Sequence, residues 1–494
     1  MSTGSIAALA DRVRDRLAAE PPGITVAGEP VTGLAGAETV DPSTAAPLTH
    51  VPQATEAVVD RAVRAGLAAQ PGWHALGVPG RRRYLDAFGQ VVREHRHELA
   101  MLDAMDGGNP YPAMVADIER CLHQFVTWPA VAGMTGGDTI PIDPRDLHFT
   151  EYQPYGVVAR VVAYNHPAYF AIKAMLPPLV MGNAVVLKPA DQTPLSALRL
   201  AELARDVLPP GVLTVLSGGA QTGQALVTHP EVRRIGFTGS LATGLAIQRA
   251  AAGSAVRHVS LELGGKNAMI VFPDAPVDVV ADAVVAGMNL DSCAGQSCGS
   301  TSRVFVHARI HDEVVEAVAA RLARIEPGVA YAEGTAMGPL VSAAHRDRVA
   351  GYVTAGRDEG ARLVCGPSVR DRRAGYYQYP VLFDRVEQSM RIAREEIFGP
   401  VISVLGWSDL DDALARANAV QYGLTGAVWT NDLSQAMRAV RGLDTGYVWV
   451  NDVSRHYWGM PFGGVRDSGL GREECLDELR SYAQVKAVNV RTRW

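Results

Sequence analysis

The chain has little of several things that would fix its class at once. Its five cysteines (Cys121, Cys293, Cys298, Cys365 and Cys475) form no C-x-x-C pair in 494 residues. An odd, scattered set of this kind suits neither a disulfide framework nor a zinc site, and it points to a reducing cytoplasm. No apolar run approaches the ~20 residues of a membrane span. Met1 to Glu20 alternates charge and alanine without an apolar signal core, so neither export nor a membrane partner is expected. Basic residues do not outnumber acids: the net charge is −6, which leaves no footprint for nucleic acid. Internal repeats, low-complexity linkers and the G-x-G-x-x-G dinucleotide fingerprint are also missing.

What is present is an ordinary globular composition, 48% hydrophobic and 20% charged. The chain is too long for one core, so two or three domains are expected. Ser5–Glu20 reads as an amphipathic helix stopped by Pro21-Pro22-Gly23, followed by short strands near Ile24–Val26 and Glu38–Val40. Helical periodicity runs over Thr55–Ala69, with Thr55 as cap, then over Arg81–Met105 and Met114–Ala132. Gly136–Gln153 reads as a projecting hairpin. From Tyr155 onward strands and helices alternate: strands at 156–163, 184–187, 212–216 and 234–237, helices at 169–181, 196–207 and 222–228. A second alternating region starts at Arg303 and includes strands 303–307, 401–405 and 425–429. Such alternation means βαβ units and mostly parallel sheets, hence an α/β fold with two doubly wound domains.

The chemistry concentrates in Val259–Ser302. Glu262 lies in an apolar run that breaks at Gly264-Gly265, and Cys298 follows 36 residues later among small residues. A thiol and a carboxylate beside a cleft suit covalent catalysis through sulfur with a general base for water. An isolated cysteine, by contrast, is more often a small buried hydrophobe. The loops after the strands are where a doubly wound sheet binds ligand. They carry Lys188-Pro189-Ala190-Asp191, Ser217-Gly218-Gly219 and Phe237-Thr238-Gly239-Ser240. Gly239 lets backbone approach closely, and Ser240 sits where helix N-terminal amides collect, a seat for phosphate. Glu396 and Phe398 flank a Gly-Pro turn further on.

Together these blocks resemble the aldehyde dehydrogenase superfamily from about Val40 to Val490. The resemblance rests on Tyr164-Asn165-His166-Pro167, Gly182-Asn183 through Asp191, and Phe237–Ser240, then Leu261–Lys266, Gly295–Cys298, Glu395–Pro400 and Pro461–Gly464. It implies Cys298 as nucleophile, Asn165 with the Cys298 N–H as oxyanion donors, and Glu262 as base for the deacylating water. Cys293 lacks the Gly-Gln-x-Cys setting and is expected to be structural. The resemblance also implies NAD, with NADP as an alternative. Lys188 and Asp191 fall to the adenosine ribose, Ser240 to the pyrophosphate, and Glu396 and Phe398 to the nicotinamide ribose and ring. Gly219, Gly223, Gly239 and Leu263 line the same path. An acid at Asp191 favours a free 2′-hydroxyl, hence NAD. Two positions depart from relatives: Asp191 stands where many carry Glu, and Ala174 occupies a slot where many carry lysine. Here the lysine is Lys173, turned about 100° around a helix, toward the substrate side.

The family pattern implies residues 1–135 with 154–264 as a Rossmann-like nucleotide-binding domain and 265–465 as a catalytic domain. Residues 136–153 with 478–494 form a small β oligomerisation arm, and a homodimer or homotetramer follows by analogy. His166, Phe170, Lys173, Ser297, Tyr457 and Phe462 are expected to line the aldehyde tunnel. Their rings favour a medium-sized apolar or aromatic aldehyde, whereas Lys173, Arg455 and His456 leave room for an acidic semialdehyde. A relative that passes its acyl group to coenzyme A is disfavoured by the presence of Glu262, and a catalytically silent relative by the intact Asn165, Glu262 and Cys298.

Overall fold

The structure, a computed structural model, describes residues 3–366 and 373–492. Two sheets organise it. The first runs Gly469–Leu470, His258–Glu262, Val232–Thr238, Val157–Val161, Ala184–Lys188, Leu213–Val215 in space. All neighbours are parallel except the short Gly469–Leu470 strand, which joins antiparallel. Val157–Val161, Ala184–Lys188 and most of Val232–Thr238 are buried on both faces, as expected of strands covered by helices on either side. The chain winds outward from Val157–Val161, then returns to place Val232–Thr238 on its other side. That reversal opens a crevice beyond the strand ends at Val161 and Thr238, the usual ligand position in such sheets.

The second sheet runs Arg362–Cys365, Val381–Asp384, Val401–Trp407, Arg303–His307, Ala268–Val271, Thr425–Trp429, Tyr447–Val450. Only its Arg362–Cys365 edge is antiparallel. Each sheet has its own buried apolar cluster. Glu262 ends a strand of the first sheet, and Ala268 opens a strand of the second, so Leu263 to Asn267 is the crossing between them.

Several expected elements shift. The helical run Arg81–Met105 is two helices, Gly77–Glu94 and Arg96–Gly107, divided at His95, whose backbone leaves helical geometry. Gly108 ends the second helix at φ +79°, a conformation that glycine adopts without strain. Thr55 does precede a helix, Glu56–Ala75, but makes no side-chain capping bond. In Gly136–Gln153 the hairpin is slight, with a single bridge between Thr139 and Phe149. Leu147–Pro154 instead pairs along its whole length with Ala483–Val490. The tail is not extended from Glu478: a short helix, Leu476–Arg480, comes first, with Asp477 and Glu478 in its first turn.

Candidate active site

Two cavities meet at the crossing between the sheets. One, of about 800 Å³, lies over the strand ends of the first sheet. The other, of about 770 Å³, opens on the opposite side. Asn165, Phe170, Thr238, Glu262 and Cys298 line both. A ligand in either cavity can therefore meet the thiol, the carboxyl and the asparagine amide.

Local sequence fixes this junction. Asn267 donates from Nδ2 to the carbonyls of Cys298 (2.7 Å) and Ser300 (2.9 Å), pinning the cysteine loop to the crossing. A Cβ on Gly265 would come within 2.9 Å of the Cys298 carbonyl, so glycine is what allows this approach. Gln296 braces the loop from behind, donating to the Cys293 carbonyl at 3.0 Å and accepting from Val341 N–H at 3.1 Å. Asn109 donates to the Asn165 carbonyl at 2.7 Å and holds that turn in place. Cys293 is fully buried, with its thiol directed at the Asn289 carbonyl 3.6 Å away.

At the junction Glu262 is buried and Cys298 half-buried, and both acids respond to that withdrawal from solvent. Burial, with Glu396 and Glu262 adding repulsion, pushes the Cys298 thiol up to about 12. Burial, reinforced by Glu473, holds Glu262 well above the usual carboxylate range against the pull of Lys173 and Arg472. Its Oε2 is buried without a hydrogen-bond partner. For each group these surroundings favour the neutral form over the charged one.

The first cavity collects Lys188, Asp191, Gly219, Gly223, Gly239, Ser240, Leu263, Glu396 and Phe398. Lys188 is buried, not solvated, and donates to the Pro189 carbonyl at 2.9 Å, while Asp191 is exposed at the rim. Ser240 both lines the cavity and caps the helix Leu241–Ala252, accepting from Thr243 N–H. Gly219 caps Ala220–Thr228 with nothing within 4 Å of where a Cβ would stand. Two helix N-termini thus open onto one groove, a setting suited to an anion. Glu396 accepts from Gly265 N–H at 3.0 Å, and burial pushes its carboxyl up to about 7. Phe398 holds a left-handed backbone, φ +59°, and its carbonyl accepts from His345 Nε2 at 2.6 Å. Thr243, His345 and Arg348 also face this cavity and were not singled out from sequence, where no motif marks them.

The second cavity is lined by His166, Phe170, Lys173, Ser297, Tyr457 and Phe462. Aromatic Tyr169, Trp449 and Trp458 share it with acids Asp117, Glu473 and Glu474, none of which sequence reading marked. The basic side chains here are paired with carboxyl groups. Lys173 pairs with Glu473 (3.0 Å) and Glu474 (2.8 Å). His166 pairs with Asp117 at 2.6 Å, and His456 with Glu474 at 3.0 Å. Arg120 reaches Asp117 at 2.9 Å, and Arg455 lies 3.7 Å from Asp452. Burial would push the His166 imidazole down, but the Asp117 charge and hydrogen bond outweigh it and carry the group up to about 10. Among the described residues no group of three or more His, Cys, Asp or Glu could hold a metal ion, and no helix is long and apolar enough to cross a membrane.

Known proteins share this architecture. The aldehyde dehydrogenase family model matches residues 32–488. The aldehyde dehydrogenase tropH of Talaromyces stipitatus is 46% identical over 463 residues, 92% of this chain and 90% of its own length. A betaine aldehyde dehydrogenase of Rhizobium etli is 39% identical, covering 92% of this chain and 93% of its own. Among solved structures, an NAD+ complex of an aldehyde dehydrogenase from Bacillus cereus superposes with a TM-score of 0.94 at 34% identity, covering 97% and 98% of the two chains. A match of this extent and identity across both sheets and the junction between them leaves one assignment: the chain belongs to the aldehyde dehydrogenase family.

Proposed function

We propose that the protein oxidises a medium-sized apolar or aromatic aldehyde to its carboxylic acid with NAD. One observation carries this reading: Cys298, Glu262 and Asn165 line the point where a groove suited to a dinucleotide meets an aromatic cavity. NAD, when bound, supplies the hydride acceptor. The first cavity fits it by shape and chemistry: two helix N-termini for the phosphates, Lys188 and Asp191 for one ribose, Glu396 for the other. Asp191 at the rim would repel a 2′-phosphate, which favours NAD over NADP. The NAD+ complex of the Bacillus cereus protein supports the same choice.

Cys298 Sγ, as thiolate, bonds to the aldehyde carbon, and the electron pair of the breaking C=O π bond moves to the carbonyl oxygen. The Asn165 side-chain amide and the Cys298 N–H hold that oxyanion, each well-placed donor contributing about 3 kcal/mol. Loss of hydride leaves a thioester on Cys298. Water then attacks the acyl carbon while Glu262 takes its proton, the C–S bond breaks and the acid departs. Glu262 favours a water-accepting outcome over transfer to a second thiol carrier. Cys293, facing the Asn289 carbonyl, stays outside the reaction.

The cavity chemistry favours a neutral substrate over an acidic semialdehyde, because Lys173, Arg455 and His456 are each engaged by a carboxylate. The relatives named for betaine aldehyde and hydroxyisobutyraldehyde span charged and small substrates, so the choice rests on this chain's own walls. The paired strands Leu147–Pro154 and Ala483–Val490 support a role as an oligomerisation arm in a homodimer or homotetramer. The test is NADH formation from a panel of aldehydes with NAD and NADP, together with Cys298→Ala. Turnover should vanish in the variant while NAD binding persists. Unchanged turnover, or activity confined to short carboxylate-bearing aldehydes, would overturn the mechanism or the substrate reading respectively.

A further inference from the structure

Lys173 is nearly fully buried in the wall of the second cavity, and an ammonium carries three donor protons. Two are taken by Glu473 Oε2 at 3.0 Å and Glu474 Oε1 at 2.8 Å. On another side Nζ stands 5.9 Å from the centre of the Tyr169 ring and 5.8 Å from that of Phe462, and both rings line the same cavity. Neither ring accepts a conventional hydrogen bond. The remaining proton is best satisfied by an occupant of the cavity. The ammonium cannot readily escape the need by losing a proton: burial alone would favour that, but Glu474 and Glu473 keep it charged.

The sign of the preferred occupant follows from the neighbours. Glu473 is shared with Arg160 at 3.2 Å. Three basic groups, Lys173, Arg160 and the His456 ring that pairs with Glu474 at 3.0 Å, thus face three acids, Glu473, Glu474 and the buried Glu478, which acts on both Lys173 and Arg160, and the cluster has no spare positive charge for a substrate carboxylate. A neutral oxygen, in contrast, can take the third proton without leaving any ion unpaired.

We propose that Lys173 is a specificity-determining residue that hydrogen-bonds a neutral oxygen substituent on the ring of an aromatic aldehyde, so that hydroxy- or alkoxy-substituted aromatic aldehydes are preferred. The proposal rests on the reading of this cavity as the aldehyde site. A site holding a buried donor discriminates against analogues that cannot meet it.

The experiment compares kcat/KM, with saturating NAD, for benzaldehyde, its three hydroxy and three methoxy isomers, and 4-carboxybenzaldehyde. At least one oxygenated isomer should exceed benzaldehyde by about tenfold, the worth of one hydrogen bond to a charged group. The carboxylate should fall below that isomer. In Lys173→Met combined with Glu474→Gln, which removes one charge of each sign, the ratio of oxygenated to plain aldehyde should fall to about one, whatever the absolute rate. A ratio retained in the double variant, or benzaldehyde or the carboxylate leading in the unaltered protein, would overturn the proposal. The unaltered protein's selectivity decides the matter alone if the double variant does not fold. If no aldehyde yields NADH, the aldehyde reading itself fails; if benzaldehyde is oxidised without any oxygen preference, only the role of Lys173 does.

Discussion

The two cavities that meet at Cys298 are built in opposite ways. The first is made of strand ends, helix N-termini and glycines, and its chemistry is largely backbone amides placed by the βαβ winding. The second is made of side chains from distant segments, aromatic rings interleaved with ion pairs such as Lys173 with Glu474 and His166 with Asp117. Backbone chemistry repeats wherever the fold repeats. Side-chain walls are free to differ, and they are where one member of a family departs from another.

Glu262→Gln tests the junction between the two. Multiple-turnover rate should fall roughly 10²- to 10⁴-fold, the range for a lost general base, while a first burst of NADH survives. Loss of the burst in equal measure would assign Glu262 to the thiol proton instead of the water. Next is the pH profile. With the Cys298 thiol pushed up to about 12 and Glu262 raised as well, both reactive deprotonated forms grow as pH rises, so kcat/KM should increase from pH 7 to 9.

The two cavities should then separate in how they respond to pH. Glu396, near 7, becomes a carboxylate above neutrality, so KM for NAD should drop several-fold across that point, whereas KM for aldehyde stays flat because Lys173 is raised and Glu474 lowered out of range. An aldehyde KM that moved with NAD would collapse the contrast.

Gly264→Ala presses on the first cavity alone. Its Cβ would stand 2.0 Å from Glu396 Oε2, and overpacking of about 1–3 kcal/mol should raise KM for NAD roughly tenfold with aldehyde selectivity unchanged. The smallest effect is expected from Ser240→Ala. Loss of its cap on Leu241–Ala252 should cost about 1 kcal/mol, read as a small drop in Tm, with a modest rise in KM for NAD.

Much of the frame was legible in the chain. Strands Arg303–His307 and Thr425–Trp429 have the bounds that their apolar runs predict. Short strands such as Ala268–Val271 and Val381–Asp384 were not legible, because three or four apolar residues carry no period of their own. The division at His95 escaped because helical periodicity continues across it. Leu147–Pro154 could be read as extended, but not as the partner of Ala483–Val490, since strand pairing is chosen by geometry and not by either segment.

By itself the sequence determined which groups are candidates for the chemistry: a thiol, an acid and an amide set in motifs whose glycines and small residues allow close approach. Only the tertiary structure decided the state of Lys173. Read along the chain it is a free cation on a helix, able to call for an acidic substrate. Folded, it meets Glu474, 301 positions away, and Glu473 beside it, and its charge is answered before any substrate arrives. Coulomb attraction depends on distance in space, and distance in space is what the sequence does not state.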